Sequence, residues 1–185
     1  MTTTGVSISS PEEMAPEPGL TRAGYGAGAI AGIAAGTVMS MAMMLIATLR
    51  GESPWALPDL IAAMWLGSDV ADGRLGIPTM VGMLTHGATS AMMGIVAVPF
   101  VAALPGWRVL PISLAYALAS YPLVFSLVMS WANPLMYERV SMIDMTWGHS
   151  VFGVVFGVTF LWIARRRGLH LRSGRQGDYD SANER

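Results

Sequence analysis

The sequence predicts an all-α integral membrane protein, a four-helix bundle with a short interfacial helix in its first outer loop. Three observations carry this. Of 185 residues, 53% are hydrophobic and only 12% are charged, whereas soluble domains are about a quarter charged. Formally uncharged stretches lie between Arg22 and Arg50, Arg74 and Arg108, Arg108 and Glu138, and Asp144 and Arg165, each long enough for the roughly 20 residues that cross a bilayer as a helix. In the first of them a small residue recurs at every fourth position: Gly24, Gly28, Gly32, Gly36 and Ser40. Such a ridge lets a second helix approach backbone to backbone, a main source of helix association in lipid.

Taken in order, residues 1–21 are rich in Thr, Ser, Pro and Glu without apolar periodicity and read as a disordered tail. The transmembrane domain occupies 22–167, with spans predicted at about 24–49, 79–104, 110–132 and 142–164. In the first loop, Ser53-Pro54 marks a helix start, and Leu57, Leu60, Ile61 and Met64 follow at helical spacing between Trp55 and Trp65, with Gly67 ending the turn. Tryptophan favours the headgroup region, which suggests a helix lying in the outer interface; a lid over the outer end of the bundle is the alternative. Pro78 suits the first turn of the second span, and Pro99 kinks that span near its far end. Pro122 falls in the middle of the third span, where Ser120 and Ser126 are the candidates to satisfy the carbonyl it releases. Ser141 and Asp144 resemble a capping box at the start of the fourth. Residues 168–185 read as a second disordered tail.

Arginine placement sets the expected orientation. Arg22, Arg108, Arg165, Arg166, Arg167, Arg172 and Arg175 fall on one side of four threaded helices, and Arg50, Arg74 and Arg139 on the other beside Glu52, Asp59, Asp69, Asp72, Glu138 and Asp144. The positive-inside rule then places both termini in the cytoplasm. The leader carries Glu12, Glu13 and Glu17 where a signal peptide has a basic segment.

Ionisable groups inside a membrane are costly unless partnered, so they are where function is sought. His86 and His149 each lie roughly 10 Å below the outer start of their helices at 1.5 Å per residue. Each is also on a ridge of small residues: Gly82, His86, Ser90, Gly94 in the second span, and His149, Gly153, Gly157 in the fourth. The same level is expected to receive Ser40 and Met44 from the first span and Ser126, Met129 and Ser130 from the third, with Met80, Met83, Met142 and Met145 nearby. Three readings compete. The polar groups hydrogen-bond across the bundle and fix register; or the histidines ligate haem b, or copper as Cu(I) together with methionine; or the pair is a protonatable gate of a small transporter or proton relay. With no cysteine, no Ser-His-Asp set, no HExxH and no phosphate-binding glycine loop, the sequence offers no catalytic signature. Nucleic acid is not expected as a partner. The lipid bilayer is, together with a homo-oligomer or a larger membrane complex in which the chain serves as scaffold or accessory subunit.

From the second span onward the motifs resemble those of the YagU-like bacterial inner-membrane proteins. They are His86 and Ser90 after Pro78, Pro134-Leu135-Met136, Glu138-x-Val140-Ser141 leading to Gly148-His149, and a closing run of arginines. The resemblance implies a multi-pass inner-membrane architecture and brings no reaction with it. Phe125 and Ser126 stand where relatives can carry a further histidine, which argues against a three-histidine metal site here.

Overall fold

The computed structural model describes residues 22–169; both predicted tails, except for Gly168 and Leu169, lie outside the described residues. Among the described residues six α-helices follow one another, with a short 3-10 helix at Ser68–Val70 between the second and third: α1 (Arg22–Leu49), α2 (Ala56–Leu66), α3 (Ile77–Val101), α4 (Gly106–Ala132), α5 (Pro134–Arg139) and α6 (Met142–Arg166). Four of them, α1, α3, α4 and α6, are long and apolar enough to cross a membrane, and their outward residues, among them Ile33, Leu45, Leu84, Leu123 and Val158, are exposed and apolar. The predicted spans hold within a few residues. The largest difference is the start of α4, which begins at Gly106 directly after Pro105, so the turn from α3 is shorter than expected and Pro111 sits inside the helix.

Helix α1 is the centre of the bundle. It packs against α3 on one side and α6 on the other, α6 in turn packs against α4, and α3 and α4 make little contact. The glycine ridge explains the first of these interfaces. A Cβ built on Gly32 would meet the backbone of Ser90 and Gly94, and one on Gly28 would meet the Gly94 carbonyl and Val98. Gly36 faces Ser90 and His86; Gly24 is buried at the start of the same face. Toward α6, α1 presents Ala27, Ala31 and Ala35, whose small side chains leave room for Phe152, Phe156 and Phe160 in the same buried cluster. These three rings stack along α6 with centroids 6.1 and 5.8 Å apart. The α6 ridge is spent on α4: Gly153 meets Ser113, Leu114 and Ala117, and Gly157 meets Leu110 and Ser113.

Gly82 departs from its expected role. Its missing side chain admits the backbone of Pro58, so it seats α2 and not a spanning helix. Pro58, Asp59 and Ala62 are thereby buried, and α2 packs as a lid, the second of the two alternatives for this segment. Gly67 ends it with φ +89°, a conformation that glycine adopts without steric cost. Asn133, 2% exposed, ties the lid to α4 and α5: its Nδ2 donates to Leu60 O at 2.7 Å and its Oδ1 accepts from Met136 N at 3.1 Å.

Two local expectations are corrected. Ser141 does cap α6, accepting from Ile143 N at 3.2 Å, but Asp144 completes no capping box. Its carboxylate instead takes a bidentate pair of 2.7 Å bonds from Arg50, joining the end of α1 to the start of α6. Ser120 donates to Ala117 O at 3.2 Å, one residue short of the carbonyl four before Pro122. The backbone after this proline runs through a π turn over Phe125–Met129, a common way for a helix to absorb a displaced hydrogen bond.

Candidate functional site

Because α3 and α4 stand apart, the bundle leaves a partly open cavity of about 120 Å³ between them. His86 and His149 both line it. At 1.5 Å per residue they lie roughly 13 and 10 Å from the starts of α3 and α6, so the expected common level is present. The lid closes the near end with Leu57, Ile61 and Met64, and the Trp65 indole N–H donates to Thr85 Oγ1 at 3.0 Å. The far end is closed by the Tyr116 hydroxyl, which donates to Met93 O across the α3–α4 gap at 3.0 Å.

The rings are held differently. His86 Nε2 lies 3.2 Å from Gly36 O, a carbonyl that is reachable because Gly36 has no side chain. His149 Nδ1 lies 2.9 Å from Met145 O one turn back in its own helix, and its ring packs tilted against Tyr121, 4.9 Å between centroids. A carbonyl oxygen only accepts, so each of these nitrogens carries the hydrogen. No acidic side chain lines the cavity to hold an imidazolium, and the rings are neutral. It follows that His86 keeps a bare Nδ1 and His149 a bare Nε2, opposite tautomers, each with one lone pair to offer. Neither nitrogen has a hydrogen-bond partner among the described residues.

Six methionines, Met39, Met64, Met93, Met129, Met136 and Met145, share the cavity wall. Of the serines expected at this level, Ser90 lines the cavity, whereas Ser40 lies with Met43, Met44 and His86 on a separate cavity of about 20 Å³ between α1, α2 and α3. Ser126 and Ser130 are turned away. Both are exposed, and Ser130 Oγ donates within its own helix to Ser126 O at 2.8 Å. The inward face of α4 is Val109, Ser113, Ala117, Tyr121 and Phe125 at steps of four, and one residue further is a rotation of roughly 100°. Met83 lines the smaller cavity and Met145 the larger, while Met80 and Met142 are exposed.

Tyr121 was the unmarked residue of this site. The i+4 series from Ser113 is the signal that finds it, and its hydroxyl lies 2.8 Å from Met142 Sδ and 3.3 Å from Met142 O. Asp59, on the loop helix α2, is fully buried, its Oδ1 accepting from the Thr79 hydroxyl at 2.7 Å and its Oδ2 without a partner.

The donor set bears on the candidate cofactors. Haem does not fit. A macrocycle far exceeds about 120 Å³ against the roughly 300 Å³ and more of drug-sized pockets, and His86 Nε2 is committed to Gly36. A soft ion such as Cu(I) fits in kind, since imidazole and thioether are its preferred ligands, and a backbone carbonyl that fixes the tautomer is the usual support of a ligating histidine. Among the described residues no group of three or more histidine or carboxylate side chains is placed to hold a harder metal. Comparisons with protein-family models, curated proteins and solved structures find no match to this chain.

Proposed function

We propose that the protein is an accessory protein of the bacterial inner membrane, both termini cytoplasmic, that binds a small guest between His86 and His149 without transforming it. The observation that carries this reading is that His86 and His149, each with one bare ring nitrogen, line the same largely apolar cavity. An unused lone pair in such surroundings is costly unless a ligand or water meets it. Binding without chemistry follows from the lining, which has no carboxylate to exchange a proton with either ring. The same lack weakens a proton relay. The glycine ridges that a partner helix would use are consumed inside the bundle, so an oligomer or larger complex would assemble on the apolar outer faces. The YagU-like resemblance supports the architecture and adds no reaction.

A second reading has its own support: six thioethers beside two imidazoles form a soft-donor environment, so the guest would be Cu(I). The test is native mass spectrometry with metal analysis of the full chain in lipid nanodiscs, wild type against His86→Leu/His149→Leu. A guest or copper ion carried by the wild type and lost from the double variant is expected. Identical spectra, with no added Cu(I) or small molecule retained by either, contradict the reading.

A further inference from the structure

We infer that the guest is a bilayer-dissolved molecule with a single aromatic ring bearing hydroxyl groups, a phenol or hydroquinone head, that enters sideways between α3 and α4. This rests on the binding role proposed for the two histidines and names the chemical class that the cavity takes.

Size, shape and hydrogen bonding converge on that class. A cavity of about 120 Å³ is close to the engineered cavity of about 150 Å³ that binds benzene; it admits one ring and excludes fused systems. Tyr121, Phe125 and Phe152 supply aromatic walls. Of the polar groups left over, the bare histidine nitrogens only accept, whereas the Thr85 and Ser90 hydroxyls on the same wall can donate or accept. Thr89 and Ser120 direct their protons to carbonyls of their own helices, Tyr121 directs its proton to Met142, and the two histidines present lone pairs. A guest that donates hydrogen bonds meets the two ring nitrogens; a quinone or an ether, which only accepts, leaves those nitrogens unpaired.

Access is sideways because the other directions are blocked. The lid closes one end through Asn133–Leu60 and Trp65–Thr85, and Tyr116–Met93 closes the other. Between them, Thr89 and Val124 belong to the cavity wall and are themselves exposed, which marks the opening on the lipid side of the α3–α4 gap. An alkyl tail on the ring would leave through this opening into the hydrocarbon.

The test is isothermal titration of the full chain in nanodiscs, under reductant for the hydroquinone, with three probes: decylhydroquinone, its dimethyl ether and decylbenzoquinone. Decylhydroquinone is expected to bind at least tenfold tighter than the other two, and to lose that advantage in His86→Leu and in His149→Leu. Thr89→Trp, at the exposed opening, is expected to weaken binding with both histidines intact, which separates occlusion from misfolding. Equal affinity for the three probes overturns the hydroxyl-donor class. Binding of Cu(I) with no binding of any ring overturns the class and leaves the histidine cavity as the binding site. Retention of neither overturns both.

Discussion

Substituting Gly94 by alanine tests whether the bundle is held by contact of bare backbones. A Cβ at Gly94 would lie 2.9 Å from Gly32 Cα and 3.0 Å from Gly28 C, with the Gly28 carbonyl oxygen closer still. All three are backbone atoms, so no side chain can rotate away, and ordinary carbon contacts need roughly 3.5–4.0 Å. The helices must then part by up to about 1 Å locally, and a gap of this size forfeits a quarter to a half of each dispersion contact along the crossing. Overpacking of this kind costs about 1–3 kcal/mol. Gly26 is the internal control, since it lies in the partner helix α1 with nothing within 4 Å of a built Cβ; alanine there gains about 0.5–1 kcal/mol of helix propensity. Reversible unfolding in mixed micelles, followed by circular dichroism, should therefore rank Gly26→Ala at or above wild type and Gly94→Ala clearly below it. If the two variants unfold together, close approach of α1 and α3 is not what holds them.

Other substitutions probe separate features. Ser113 Oγ is fully buried with no partner, so Ser113→Ala should raise stability slightly, by up to about 1 kcal/mol, because an unmet hydroxyl is removed at little cost in packing; a loss in the same unfolding assay would reveal a partner. Asn133→Ala removes the bond to the lid at Leu60 O and the cap of α5 at Met136 N and should cost about 1–3 kcal/mol, with faster hydrogen exchange in α2 than in α1; unchanged exchange in α2 would show that the lid is held elsewhere. Tyr121→Phe keeps the ring against His149 and drops the hydroxyl, so affinity for a guest should change less than twofold, whereas Tyr121→Ala should weaken it by removing a wall. Equal loss in both would make the hydroxyl a binding group.

Much of this arrangement is legible in the residues. Uncharged length marks the spans, and steps of four along Gly28, Gly32 and Gly36 and along Ser90 and Gly94 identify the faces that meet. The depth of the histidines follows from counting. Which helix each ridge meets does not. Gly82 and Gly94 belong to one ridge on α3, yet one receives the lid and the other α1, because the lid's proline backbone approaches where no side chain stands. The inward face of α4 was missed for a related reason: hydroxyls drew attention to Ser126 and Ser130, while Ala117, Tyr121 and Phe125 carry the packing periodicity. That Asp59 is buried against Thr79 has no signal in the sequence, which shows only the side of the membrane it falls on. Ring tautomers lie beyond sequence altogether, since they depend on which carbonyl a fold brings to each imidazole.

Those tautomers are what the site depends on, and they can be observed directly. Long-range proton–nitrogen correlation spectra of the full chain with ¹⁵N-labelled histidine, assigned by single His→Gln variants in nanodiscs at neutral pH, report which nitrogen of each ring carries hydrogen. Two neutral rings of opposite form are expected, Nε2–H in His86 and Nδ1–H in His149. Two rings of the same form, or either one doubly protonated, would contradict it.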